Sequence, residues 1–447
     1  MPNLEKSAED LSKSLYGPQK SGVFNRRPSL KEINLIAWTL FAMLLLLPFG
    51  LFIGSQIRSA PDSFPHYHTG FVYIYGLGRI ALEYPAARIY DLPLQQKTFN
   101  DLSPAPPGFY GPSPYPPLVA YVFSLLARLP FARAYLLWNG ISLLLYLCGL
   151  RAAALCAGLR NVHERWLFYC LSLAFYPFFV EVLFNGQLSA IAVCCASLAL
   201  LADRKSHPFI CGLALSVLTY KPPLLLLLIP LLLLTRRFKA LAGFLSGAAT
   251  LFALSTALAG AGIWADYLRF VRMFSQVTGM HGNSGMNLSK FVDFSAASHA
   301  VAGGRTAVGL TILACVSIAA ALSLAFLLWQ SSTADRPAQS LAWAATLTWT
   351  LLLNVYVPVW DSSLAVISML LTFSALRDLD WKRATRWNLL LFLLIFAGSW
   401  ITEPIALAHG VQVLTILLTL LGVGQLILLK CAIARGAMLS QGVPVLE

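Results

Sequence analysis

VEVLFNGQLSAIAV, residues 180–193, sets Glu181, Asn185, Gly186 and Gln187 between two runs of residues that would otherwise dissolve in lipid. A polar break of this size inside apolar sequence is the mark of a tight turn between two helices at a membrane surface. There the helix ends and their unpaired backbone groups meet water or something polar.

The rest of the chain has the same character. Of 447 residues, 58% are hydrophobic and 11% charged, and mean hydropathy is +0.70. Soluble chains carry about 25% charged residues, so a polytopic membrane protein is implied. The net charge of +13 does not point to nucleic acid, because the basic residues fall in short clusters between apolar runs. Such clusters orient a chain in a membrane. Residues 1–32 are polar and basic with no early apolar core, so they read as a disordered cytoplasmic tail rather than a signal peptide. The eight cysteines lie in or at the edge of apolar segments and read as small buried hydrophobes, not as disulfides or a metal site.

Apolar runs recur near 33–55, 115–130, 134–158, 166–184, 187–202, 208–219, 222–235, 240–262, 306–330, 339–356, 362–376, 388–406 and 411–430. The runs at 208–219 and 222–235 are shorter than the ~20 residues of a perpendicular span and need a thinned, protein-lined region or extended ends. The tail holds six Lys/Arg, and the connections 159–165, 203–207, 235–239, 331–338, 376–388 and 430–447 hold fourteen more. The alternate connections hold none in NGQ, one at Lys221, and none at 357–361 or 403–410. The basic set faces the cytoplasm under the positive-inside rule. Parity holds if 115–130 does not cross and is an interfacial or re-entrant helix. The predicted architecture is all-α, with about 12 transmembrane helices and juxtamembrane helices in the first outer loop. The predicted organisation is a single membrane domain over 33–435, outer loops at 56–133 and 263–305, and a cytoplasmic tail at 436–447.

The odd polar stretches then converge on the outer face. FVYIYGLGRIAL in the first loop has helical spacing, with Asp62, His66 and His68 just before it. GLGRIA has no preceding strand and the wrong glycine spacing for a dinucleotide motif. Glu181 lies about one turn inside a span, where a carboxylate needs a partner or a wet cavity. Lys221, in YKPPLLLLL, is either a snorkelling lysine or an ammonium aimed into a cavity. The loop 262–292 adds Arg269, Arg272 and an Asn/Gly/Ser-rich stretch, MHGNSGMNLSK. Asp361 stands at the mouth of a span as a helix cap or a site residue, and Glu403 and His409 lie at another outer connection.

These pieces together resemble glycosyltransferase family 87 of the C-type glycosyltransferase superfamily. The resemblance rests on GFVYIYGLGRIAL…PAARIYD (70–91), FYGPSPYPPLVAYVFSLLARLPF (109–131), NGQLSAIAVCCASLALLA (185–202) and CGLALSVLTYKPPLLLLLIPLLLLTRRFKAL (211–241). NLS (287–289) and VPVWDSSLAVISMLL (357–371) complete it, and NGQ followed some thirty residues on by KPPLLLLLIPLLLLTRR is its strongest element. It implies transfer of a sugar, typically mannose, from a polyprenyl-phosphate carrier to a glycolipid or glycan acceptor. The reaction would take place at the outer (periplasmic) face of the cytoplasmic (inner) membrane, with no metal or other cofactor.

In that reading Lys221 meets the donor phosphate, with Arg272 and Lys290 as further cations. Gln187 hydrogen-bonds sugar or phosphate, Asp361 orients a substrate or caps its helix, and Asn185, Tyr220, Tyr115 and Asn287 complete the substrate-binding set. The family's Asp-Phe pair, whose aspartate is the expected base, falls here on Gly70-Phe71. The base then passes to His68 or Asp62 first, or to His66 or Glu181, with Asp361 as a further carboxylate. The rival readings are a lipid or sugar transporter, or a non-catalytic lipid-binding relative. Apart from Arg151, ionisable groups sit at span ends rather than at mid-membrane, which disfavours a transporter.

Overall fold

A computed structural model of the chain describes residues 70–102, 112–159, 161–280, 288–297, 307–354 and 356–440. The expected tail, the first apolar run and Asp62, His66, His68 and Asn287 lie outside the described residues. What is described is helical, and the one β-type contact is an isolated antiparallel bridge between Phe291 and Pro358.

Helix α1 (Gly70–Glu83) is followed, after Pro85 and a short 3₁₀ turn, by α2 (Leu92–Leu102) and then by α3 (Pro117–Leu126). Proline opens α3 at little cost because the first N–H of a helix has no intrahelical partner. Ten residues rise about 15 Å, about half of the roughly 30 Å of hydrocarbon that a perpendicular span needs. Helix α1 was expected to lie along the surface. It is instead largely buried, packed along α3, with Phe71 in an aromatic cluster with Phe123, Phe131 and Tyr135.

Helix α4 (Phe131–Cys156) is long enough to span, and α5 (Val162–Leu173) begins at an Asn161 cap whose side chain accepts from the His163 N–H at 2.9 Å. Pro177 follows, the chain bends by 56°, and Pro177–Phe184 continues as a π-helical segment. Proline accounts for the bend, since it removes a ladder donor and clashes with the preceding turn. Helix α6 (Ser189–Arg204) returns against α4, and the two backbones meet at Gly149, where a Cβ would lie 2.9 Å from the Cys194 Cα. Small residues allow such close crossings in lipid, where van der Waals contact drives helix association.

Helix α7 (Pro208–Ser216) runs into a 3₁₀ turn, Val217–Tyr220, and breaks at Lys221. A second 3₁₀ turn, Pro222–Leu225, leads to α8 (Leu228–Leu234). Helices α9 (Phe238–Ala259), α10 (Ile263–Met280), α11 (Ala307–Gln330) and α12 (Arg336–Leu352) follow. A 3₁₀ turn, Val359–Leu364, opens α13 (Ala365–Asp378), and α14 (Lys382–His409) and α15 (Val413–Ser440) close the fold. Helix α15 runs past residue 435, so the expected domain end falls inside a helix.

Six described helical stretches are long and apolar enough to cross a membrane, or seven if α5 and the π-helical segment form one bent span. This protein is membrane-embedded. Other apolar runs fold into shorter pieces. Pro208–Tyr220 and Pro222–Leu234 are separate short helices, and α6 and α12 have 16 and 17 residues. Helix α12 is the centre of the bundle, buried without a break from Ser340 to Leu352. Two of its threonines are satisfied inside: Thr346 Oγ1 donates to the Ala342 carbonyl at 2.8 Å, and Thr348 shares a 2.6 Å hydrogen bond with Ser368. Gln425 from α15 donates to Ser368 Oγ and Thr372 Oγ1 at 2.7 and 2.9 Å. Interhelical bonds of this kind matter where lipid offers no partner.

Contacts at the helix ends sort the connections into the two sets expected from charge. At one end Arg237 pairs with Asp203, Arg204 with Ser340, and Arg336, Arg377 and Arg435 cap the carbonyls of Cys156, Ala157 and Leu379. The opposite end gathers Asn185–Leu188, Lys221, residues 288–297, the turn before α13 and the connection between α14 and α15.

Candidate functional site

The site is assembled at that second end from segments that are not regular helix. The first is the turn Asn185–Leu188. Gly186 has φ +70°, a left-handed conformation that glycine adopts without strain. Its carbonyl accepts from Trp138 Nε1 at 2.9 Å, and the Phe184 carbonyl accepts from the Tyr135 hydroxyl at 2.5 Å, so α4 holds the turn from one side. From the other side the Phe71 N–H of α1 donates to the Asn185 carbonyl at 2.8 Å. NGQ is therefore not a free surface cap. It is a buried turn clamped between α1 and α4, and Gln187 is only 8% exposed.

The second segment is the break at Lys221. A residue before proline is driven out of the α region by the proline ring, and Lys221 sits at φ −139°, ψ 81° between the two 3₁₀ turns. The break frees carbonyls, and one is recovered where Asn354 Nδ2 donates to the Pro223 carbonyl at 2.7 Å. The Lys221 ammonium points inward. It forms an ion pair with Asp361, with side chains 7% and 0% exposed, and lies 5.6 Å from the ring centres of both Tyr356 and Trp360. The snorkelling alternative is thus excluded, and Asp361 is far more than a helix cap. Its other oxygen, Oδ1, accepts from Ser189 Oγ at 2.6 Å, which ties the pair to the first residue of α6, two positions after Gln187.

A second charged cluster adjoins the first. Glu181, on the π-helical segment, is 1% exposed and accepts from Lys290 Nζ at 3.1 Å, from Asn185 Nδ2 at 2.7 Å and from the Tyr176 hydroxyl at 3.3 Å. Lys290 also lies 3.5 Å from Glu403, whose other oxygen accepts from Tyr176 at 2.7 Å. Burial pushes the Lys290 ammonium pKa down, but the charges and hydrogen bonds of Glu181 and Glu403 more than offset this and leave it raised. The π-helical segment packs directly on the 3₁₀ turn that carries Asp361, so the two clusters are neighbours.

Residues 288–297 are fastened across this face. Asp293, fully buried, accepts from the N–H groups of Ala296 and Val357 at 2.9 and 3.0 Å. The Ser289 and Val292 carbonyls accept from Gln412 Nε2 and Thr415 Oγ1 at 2.6 and 2.8 Å. Burial raises the Asp293 carboxyl to about 6, against backbone hydrogen bonds that lower it.

The remaining expected residues are placed as follows. Tyr220 donates to the Leu188 carbonyl at 3.4 Å, which joins the Lys221 break to the NGQ turn. Tyr115 sits just before α3, and burial above all, then Tyr356 and Asp361, pushes its phenol well above the ordinary range. Arg272 lies exposed on α10. Gly70 stands where the resemblance implies an aspartate. A Cβ at this position would overlap the Gln187 carboxamide nitrogen and lie 3.1 Å from the Asn185 carbonyl oxygen, so Gln187 fills that space.

Sequence reasoning missed Ser189, Tyr176, Asn354 and Asp293, and it noted Glu403 without a role. Tyr176 and Glu181 are five apart, a spacing that faces them together only on the wide π turn. The other partners lie 60 to 230 positions distant in the chain, and no local pattern announces them.

The fold and this end of the bundle define a helical membrane protein with buried ion pairs at its polar centre. Its sequence matches the family model of glycosyltransferase family 87 over residues 114–358, more than half of the chain. The chain belongs to that family and is a glycosyltransferase. Comparison with curated proteins and with solved structures finds no match.

Proposed function

We propose that this chain moves a sugar, mannose by the family resemblance, from a polyprenyl-phosphate donor to a glycolipid or glycan acceptor. The reaction takes place at the outer (periplasmic) face of the cytoplasmic membrane. The observation that carries the reading is the buried Lys221–Asp361 pair, joined through Ser189 to the NGQ turn at the end of the bundle opposite the arginine-rich connections. An amphiphilic donor needs a polar centre beside lipid, and its leaving group is a phosphate whose growing charge an ammonium stabilises in a dry site. Lys221 supplies that ammonium, and Asp361 holds it aimed until the phosphate arrives. Gln187 and Asn185 offer amides to the sugar or phosphate, Tyr115 and Tyr220 line the approach, and Lys290, Arg272 and Asn287 complete the binding set.

The acceptor proton passes to His68, Asp62 or His66, or to the carboxylate cluster at Glu181. In this reading the chain crosses the membrane 12 times in a C-type arrangement, with the short helices α6, α7, α8 and α12 as inner helices supported by their neighbours.

Membranes containing the full chain are tested with polyprenyl-phosphate mannose and alkyl mannoside acceptors. Expected is a new mannosidic product, lost on Lys221→Met. Movement of the intact donor between leaflets, or its binding without turnover, is the result that replaces this reading with a transporter or a non-catalytic relative.

A further inference from the structure

The cluster of Glu181, Glu403, Lys290 and Tyr176 contains two carboxylates but one ammonium and one phenolic proton. The two acids differ in access. Glu181 is 1% exposed, with one oxygen on Lys290 and Tyr176 and the other on Asn185. Glu403 is 17% exposed, and its neighbour Lys290 is 31% exposed, so Glu403 is the more accessible of the two acids. Glu403 stands on α14 one residue before Pro404. Proline cannot close a ladder bond at that turn, which loosens the helix beside the carboxylate. The π-helical segment that carries Glu181 rests on the turn carrying Asp361, so the cluster to which Glu403 belongs through Lys290 and Tyr176 adjoins the buried Lys221 pair.

We propose that Glu403 is the general base of the transfer and that Glu181 is a positioning residue, holding Lys290 and Tyr176 so that Glu403 keeps one orientation. The inference rests on the functional reading above. In the step, the acceptor hydroxyl gives its proton to a Glu403 carboxylate oxygen while its oxygen forms a bond to the anomeric carbon. The bond from that carbon to the phosphate oxygen breaks, and its electron pair leaves with the polyprenyl phosphate. The proton then passes from Glu403 to water. Nothing else need be oxidised or reduced.

The test uses the full chain in membranes or detergent, polyprenyl-phosphate mannose as donor, and two nucleophiles: an alkyl mannoside, which must lose a proton, and azide, which has none to lose. Glu403→Gln keeps the side-chain shape and leaves Lys290 its partner in Glu181, so folding is checked by monodispersity and melting temperature. Expected is a fall of about 10²–10⁴-fold in transfer to the mannoside, loss of the acid-side limb of the pH profile, a donor KM within about twofold of wild type, and formation of mannosyl azide near the wild-type rate. Equal losses with mannoside and azide, or mannoside transfer within about threefold of wild type, overturn the assignment. If wild-type protein transfers to neither nucleophile, the functional reading falls, and the role of Glu403 falls with it.

Discussion

Gly70 and Gln187 share one volume: the space a side chain would take at the first residue of α1 is occupied by the carboxamide of the NGQ turn. The contact is reinforced next door, where the Phe71 N–H donates to the Asn185 carbonyl. The start of α1 and the turn before α6 therefore behave as one unit, and a change in either is felt by the other.

Gly70→Ala is expected to push the Gln187 carboxamide out of place with little loss of stability, because the displaced atoms are the far end of a flexible chain. Losing one neutral hydrogen bond to substrate costs about 1 kcal/mol, or roughly fivefold to tenfold in kcat/KM. Gln187→Ala should lower kcat/KM similarly, and the double variant should be no worse than Gln187→Ala, since residues in contact do not act additively. Full activity in Gly70→Ala, measured by transfer from a lipid-linked donor, would show that the placement of Gln187 is immaterial.

The Lys221–Asp361 pair makes a separate forecast about stability. Removing one member of a buried pair leaves the other charge without compensation, at about 3–5 kcal/mol. Lys221→Met alone should therefore lower the melting temperature in detergent as well as abolish transfer. Adding Asp361→Asn should restore most of the stability and none of the transfer. A single variant as stable as wild type would mean that water reaches Asp361, contrary to its full burial.

Asp293 gives a pH dependence with a defined sign. Its carboxyl is raised to about 6 by burial, from an ordinary value of 3.8. Between those values the folded protein holds more protons at this site than the unfolded chain, so stability falls as pH rises through the interval and levels off above about 6. Asp293→Asn removes the titration. The melting temperature of wild type relative to the variant is expected to decline from pH 4 to pH 7. A difference that is flat, or that grows with pH, contradicts the raised value.

Helices α7 and α9 touch backbone to backbone. A Cβ at Gly212 would overlap the Ala240 carbonyl oxygen and lie 2.8 Å from the Ala240 carbonyl carbon. Neither helix backbone yields easily, so Gly212→Ala should cost about 1–3 kcal/mol by overpacking, and Gly212→Val more. Scanning calorimetry in detergent measures this, and unchanged unfolding in both variants would refute so close a crossing.

How far these features were readable differs from residue to residue. The polar break at NGQ, the proline break after Lys221 and the apolar runs are local. They follow from side-chain chemistry and backbone sterics within a few residues, and the structure has a turn at NGQ, a break at Lys221 and helices along the described apolar runs. The surface helix at 70–83 shows where local reading stops. Its spacing told that it would be helical, but its burial against α3 depends on an aromatic cluster drawn from residues 71 to 135. For Lys221, flanking sequence is equally compatible with a snorkelling ammonium and an inward one. The choice was made by Asp361, 140 positions away, together with Tyr356 and Trp360.

By itself, then, the sequence determined that this chain lives in a membrane, that its connections divide into a basic and a polar set, and that it carries the marks of family 87. Hydropathy, charge placement and proline sterics act over short distances and need no fold to be felt. Only the tertiary structure decided which charge meets which: Lys221 with Asp361, and Lys290 with both Glu181 and Glu403. In a low-dielectric interior an ionised group must find its counter-charge, and that partner is set by how helices from distant parts of the chain pack, not by the residues beside it.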